Sequence, residues 1–126
     1  MHIQLETGAA RSNRIRTYAP GRIVVNDTAY QTSLIVLPDR VLPEWPPQTF
    51  DALAAAHLAA LTVLELEVVL LGTGGRLRFP PTEVLAPLIA AGVGYEIMDT
   101  GAACRTYNVL MAENRKVAAA LLMIES

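Results

Sequence analysis

Tyr95-Glu96-Ile97-Met98-Asp99-Thr100-Gly101-Ala102-Ala103-Cys104-Arg105-Thr106-Tyr107-Asn108 is the stretch whose reading decides the fold. Tyr95–Met98 reads as a short strand, and Asp99 or Thr100 can cap a helix directly after it. A strand handing over to a helix with no loop between them is the unit of a layered α/β domain. Arg105 falls in the first turns of that helix, where a cation opposes the helix dipole. Local helix stability does not explain it, so some other group must hold or use it. The helix should end near Asn114, which tolerates the left-handed conformation.

The same alternation extends upstream. Glu67–Leu71 is a nearly continuous apolar run ending at Gly72, as in a strand buried on both faces. A helix from about Pro81 to Ala91 has proline near its start and Gly92 after its end. Before that, Thr49 or Asp51 can cap a helix through Leu53, Ala56, His57, Ala60 and Leu61. Pro38, Pro43, Pro46 and Pro47 exclude regular structure up to about residue 48. Trp45, the only tryptophan, should pack that loop onto the core. Branched and aromatic residues place strands near 14–18, 22–26 and 28–37, parted by Pro20-Gly21 and Asn26-Asp27. Residues 1–13 show no sustained period and read as a loose arm ahead of a single domain over 14–126. Val117–Ile124 fits either a continued helix or a closing strand, and periodicity does not separate the two.

The 126 residues are 52% hydrophobic, enough for one domain with its own core and against disorder. A net charge of −2 gives no footprint for nucleic acid. Arg11, Arg14, Arg16 and Arg22 cluster, but they alternate with Ile and Tyr as on a strand with one solvated face. The single cysteine excludes an internal disulfide and a multi-cysteine zinc site. It makes a reducing compartment, hence the cytoplasm, the expectation. The longest apolar stretches, Leu53–Leu64 and Val117–Ile124, fall short of the roughly 20 residues a transmembrane helix needs. With two histidines and no clustered partners, neither a metal nor a cofactor is expected.

Two turns are candidate ligand sites. Gly72-Thr73-Gly74-Gly75 follows a buried strand, where glycines either turn the chain or bring backbone N–H groups to an anion. It is not a dinucleotide fingerprint, because Leu77 stands where a third glycine is required. If the two strands are parallel, this turn and the one at 99–101 share the carboxyl edge of the sheet, where open α/β sheets bind ligands. The free N–H groups of Gly101, Ala102 and Ala103, with Arg105, could then receive a carboxylate or phosphate. The candidate ligand residues are Gly72, Thr73, Gly74, Asp99, Thr100, Gly101, Cys104, Arg105 and Asn108.

Each has a structural reading beside the functional one. At about 100° per residue, Ala102, Ala103, Thr106, Val109 and Leu110 form the core face of the helix. Cys104, Arg105, Asn108 and Ala112 lie opposite. A thiol beside arginine at a helix start should have a lowered pKa, yet no base is placed to assist it, so a buried, inert cysteine is the preferred reading over a reactive one. Arg105 could instead pair with Asp99, Glu96 or Glu113. Arg76 and Arg78 are either a solvated edge or an anion-attracting rim. Glu65 and Glu67 should share one solvated face, and His57 has a packing role.

Gly72-Thr73-Gly74, Arg78-Phe79-Pro80-Pro81, Gly92–Thr100 and Ala102–Glu113 together resemble one family. It is the small domain family of unknown function that includes mitochondrial respiratory complex I assembly factor 3 and many bacterial and archaeal stand-alone proteins. The resemblance spans roughly residues 14–124. It implies a three-layer α/β domain with a mixed central sheet, N-terminal strands followed by αβαβαβ. It also implies a closing strand after the third helix, which favours β for 117–124. Family members usually carry glycine where this chain has Asn114. No catalytic residues come with the family, and its eukaryotic members assist the assembly of a membrane enzyme by binding partners. The expectation is a non-enzymatic binding or assembly-type protein with a protein partner or a homo-oligomer. The alternative is a small anionic ligand, with or without catalysis, at the two turns.

Overall fold

The computed structural model describes residues 12–125. Eight strands form in chain order, β1 Ile15–Ala19, β2 Arg22–Val25, β3 Thr28–Tyr30, β4 Leu34–Leu37, β5 Arg40–Leu42, β6 Val68–Gly72, β7 Gly94–Met98 and β8 Val117–Leu121. The helices are α1 Ala55–Ala59, α2 Thr82–Ala90 and α3 Thr100–Ala112. Strands β1, β2 and β3 make an antiparallel meander, and the rest make a five-stranded sheet ordered β5-β4-β8-β6-β7. In that sheet β6 is parallel to both β7 and β8, whereas β4 is antiparallel to β5 and β8. The sheet is mixed, and the closing strand after α3 is present.

Two crossovers leave β6 and β7 in opposite directions. The first, through α2, places β7 on one side of β6; the second, through α3, returns past β6 to place β8 on the other. Crossovers of one hand running in opposite directions put their helices on opposite faces. The core divides accordingly. Ile35, Leu37, Val69, Leu71, Ala118, Ala120 and Leu122 pack with Trp45, Leu58, Leu61, Leu85 and Leu88. The alternate residues Leu34, Val36, Leu70, Val117, Ala119 and Leu121 pack with Ala103, Cys104, Tyr107 and Met111 of α3 and with Ile15, Ile23 and Val25 of the meander. Both faces of β8 are fully buried, so its run of small apolar residues gives no alternation to read. Alanines at 118–120 let the helices on either side approach the sheet closely.

Several elements depart from their sequence reading. The single strand expected over 28–37 is two, broken at Gln31–Ser33, with β3 in the meander and β4 in the main sheet. β5 forms inside the proline region because Pro38 and Pro43 fall just outside it and its outer edge needs no partner. The long helix expected from about Thr49 is three short pieces, a 3₁₀ turn at Phe50–Ala52, then α1, then a 3₁₀ turn at Thr62–Leu64. Thr49 caps the first, its Oγ1 accepting from the Ala52 amide at 3.3 Å. The second is capped by His57, whose Nδ1 accepts from the Ala54 amide at 3.0 Å.

Of the arm expected at 1–13, residues 1–11 lie outside the described residues. Asn13 is tied down, its amide donating to Pro38 O at 2.9 Å and its carbonyl accepting from the Tyr107 hydroxyl at 2.9 Å.

Candidate functional site

The carboxyl ends of β6 and β7 release the two turns side by side. Thr73 N–H donates to Met98 O at 2.9 Å, and Thr100 N–H donates to Gly74 O at 2.9 Å. The Thr100 hydroxyl then stitches three segments together, accepting from Gly74 N–H at 2.8 Å and donating to Leu122 O at 2.7 Å. A Cβ on Gly72 would lie 2.9 Å from the Thr100 oxygen and 3.0 Å from its Cα, so glycine there is demanded by close approach.

The convergence does not leave these polar groups open to solvent. Gly72, Thr73, Gly74, Thr100, Gly101 and Cys104 are all buried. The segment following β8 runs across the exits, with Leu122 N–H donating to Gly72 O at 3.0 Å. At its end the Glu125 carboxylate accepts from Gly75 N–H at 3.0 Å and lies 3.4 Å from Nη2 of Arg78. Gly74 has φ +98°, and a Cβ on it would meet that carboxylate at 3.0 Å. The Gly75 amide, then the backbone amide of Glu125 itself, hold the Glu125 carboxyl below the usual carboxylate range against the opposing effect of burial, with lesser pulls from Arg78 and Arg76. The glycine turn therefore carries an anion, and the anion is the chain's own.

Thr73 pins the loop beyond the turn. Its hydroxyl donates to Arg76 O at 2.7 Å and accepts from Arg78 N–H at 3.2 Å. Arg78 turns inward, its guanidinium 4.5 Å above the centroid of the Phe50 ring. Leu77 and Phe79, its neighbours in sequence, are 48% and 71% exposed. Arg78 had two sequence readings, and its contact with Glu125 is the anion-facing one. The sequence carries no signal for Glu125 itself, which lies outside every motif.

On the helix side of the crevice, Asp99 is the N-cap of α3, its carboxylate accepting from Ala102 N–H at 2.8 Å. Gly101 lies under the Tyr18 ring, where a Cβ would meet Cε1 at 2.8 Å. Arg105 donates to the Tyr18 hydroxyl and has its guanidinium 6.0 Å from that ring's centroid. None of the acidic partners expected for it, Asp99, Glu96 or Glu113, pairs with it among the described residues. Tyr18, on β1, is the partner that sequence reasoning missed. Asn108 brackets the β1 backbone, accepting from Ile15 N–H at 2.9 Å and donating to Ile15 O at 2.8 Å.

Two expectations for α3 are corrected. Its core face is Thr100, Ala103, Cys104, Tyr107 and Met111, and Val109 is 56% exposed. Cys104 is not acidified either: burial pushes its thiol up to about 12, outweighing the opposite pull of Arg105. Glu65 and Glu67 do not share a strand face, because both precede β6 and Glu65 is left-handed at φ 57°. Glu67 instead accepts from Arg115 Nε at 2.9 Å and from Lys116 N–H at 3.1 Å. No cluster of metal-ligating side chains occurs among the described residues. At the amino ends of β6 and β8 lies a cleft of about 320 Å³, bordered by Arg40, Arg115 and Lys116 with Asp39 and Glu65. It is remote from the two turns.

Comparison with known proteins gives a consistent answer. Residues 15–122 match the family described as "Protein of unknown function (DUF498/DUF598)". The chain is 32% identical over 120 residues to NADH dehydrogenase [ubiquinone] 1 alpha subcomplex assembly factor 3 of Danio rerio, covering 94% of this chain and 68% of that protein. It is 35% identical over 117 residues to an uncharacterized protein of Rhodobacter capsulatus, covering 93% and 90%. A relative in Francisella tularensis, 31% identical over 109 residues and covering 85% and 88%, is named a 13 kDa major membrane protein. A crystal structure of a Bordetella parapertussis protein superposes with a TM-score of 0.83 at 41% identity, covering 89% of this chain and 96% of that one. The chain belongs to the DUF498/DUF598 family. Among the described residues no helix is long and apolar enough to cross a membrane.

Proposed function

We propose, proceeding from that membership, that this chain is a non-enzymatic binding protein of the assembly-factor type, acting through contact with a protein partner. One observation carries the reading: 94% of the chain aligns with a relative named for the assembly of a respiratory enzyme. The use of the motif residues agrees with it. Asp99, Thr100, Gly101 and Asn108 spend their polar groups or their small size on holding the fold together. Exposed Phe79 and Leu77 offer apolar surface for a partner. Affinity purification of the tagged chain from its native cell, with mass spectrometry of retained proteins and small molecules, tests this. A stoichiometric polypeptide partner is the expected result; recovery of the chain alone, or with only a small molecule, contradicts it.

A second reading, an anionic small molecule at the 72–75 and 99–105 turns, draws support from the carboxylate already seated on Gly75. Phosphate and small carboxylates titrated against the backbone amide shifts test it, and silence at both turns removes it. A cytoplasmic location belongs to the same proposal, resting on the free, buried Cys104.

A further inference from the structure

We propose that the Gly74-Gly75 turn with Arg78 is a seat for an acidic side chain of a partner polypeptide, and that Glu125 is its exchangeable intramolecular occupant. The proposal rests on the protein-binding reading and names the surface and the chemistry of the partner segment.

The position is the first argument. Open α/β sheets take ligands at the carboxyl ends of parallel strands, where successive crossovers part. Here those ends belong to β6 and β7, from which the crossovers through α2 and α3 leave in opposite directions. The Glu125 carboxylate sits at this place.

The seat is also built for a carboxylate. It supplies a backbone N–H from Gly75 and a guanidinium from Arg78, with Arg76 adding positive charge nearby. Gly74 leaves the approach clear where any Cβ would close it. Glu125 uses this seat incompletely. Arg78 Nη2 is 3.4 Å away, and its buried Nε has no hydrogen-bond partner among the described residues. A carboxylate entering side-on to the guanidinium could engage both nitrogens. The Glu125 side chain is 58% exposed, and an ion pair this open contributes little, so its displacement costs little.

The loop that carries Arg78 also offers apolar surface. Leu77 and Phe79 are the residues flanking Arg78, both exposed, on a loop pinned by the Thr73 hydroxyl. A single small acid would use none of that surface. An extended segment carrying a carboxylate next to an apolar side chain matches it in charge and hydropathy.

Amide and guanidinium NMR shifts of the full chain test this, with N-acetyl-Glu-Phe-amide, its Gln counterpart and acetate as probes. In the Glu125→Ala chain the Glu probe should shift Gly75 N–H, Arg78 Nε–H and the Phe79 ring. Its binding there should be at least about fivefold tighter than to the unaltered chain, where Glu125 competes. The Gln probe should bind roughly tenfold more weakly than the Glu probe. Equal binding of Glu and Gln probes, or no response at Gly75 in the Glu125→Ala chain, overturns the proposal. Acetate binding as tightly as the Glu probe overturns the assignment to a polypeptide segment. Partner capture separates this from the broader reading. A partner retained equally by the unaltered chain and by Arg78→Gln/Phe79→Ser sinks the seat alone, whereas an unaltered chain that captures no partner sinks the protein-binding reading.

Discussion

Thr100 shows how one side chain can serve several elements. Its hydroxyl is buried, donates to Leu122 O and accepts from Gly74 N–H. Thr100→Val keeps the shape, deletes both bonds and leaves two buried polar groups unpaired. The expected loss is about 2–4 kcal/mol in urea denaturation, with Thr100→Ser costing about 1 kcal/mol through the missing methyl. Cys104 gives a second test. Its thiol titrates near 9 when unfolded and is pushed to about 12 in the fold. The folded chain therefore holds a proton that the unfolded chain releases, so the contribution of Cys104 to stability should be constant below pH 9 and fall between pH 9 and 12. Burial lifts the Tyr107 hydroxyl as well and adds to the fall at the top of that range. Cys104→Ala should flatten the lower part of the slope, and a thiol reagent at pH 7.5 should label the folded chain only after denaturant is added. Rapid labelling without denaturant contradicts the buried assignment. The sequence named Arg105 and Asn108 but could not say what they touch, because their partners Tyr18 and Ile15 lie on a strand about 90 positions away.

At the level of elements, strand and helix existence was legible wherever local signals agreed. The run ending at Gly72, the Pro81–Gly92 bracket and the Asp99 cap all correspond to observed ends. The face of α3 was misread because a branched Val109 looks like a core residue. The helix instead turns toward the sheet the side that carries Tyr107, whose hydroxyl reaches Asn13 O. The break at Gln31–Ser33 was illegible because the same β-forming residues serve two sheets. Asn108 is the clearest join between them. Asn108→Ala should leave the main sheet intact, cost about 1–3 kcal/mol and raise hydrogen exchange in β1 and β2 first. Uniform loss of protection across both sheets would show that the meander is not a separable layer. Asn114 is left-handed at φ 63°, so Asn114→Gly should be neutral or stabilising by up to about 1 kcal/mol.

For the whole molecule, the decisive legible feature was the parallel pair implied by β6-α2-β7, which put the two glycine-bearing turns on one border of the sheet. That border is present, but its centre is filled. Small residues at 72, 74 and 101 exist so that backbones and the Tyr18 ring can approach, and the segment after β8 crosses the gap. The filling could not be read, because Leu122–Glu125 carries no periodicity or motif linking it to residues 50 positions earlier. Both the anionic-ligand reading and the acidic-segment seat turn on that occupied crevice, so the contact that occupies it is the thing to measure. The Gly75 amide shift of the full chain, followed from pH 7 to 2, reports the protonation of the carboxylate it donates to. Glu125 should release Gly75 in a single transition with its midpoint below the ordinary 4.5, and that transition should vanish in Glu125→Gln. A Gly75 amide that does not titrate, or that titrates unchanged in Glu125→Gln, would mean that the crevice is not closed by this chain's own carboxylate.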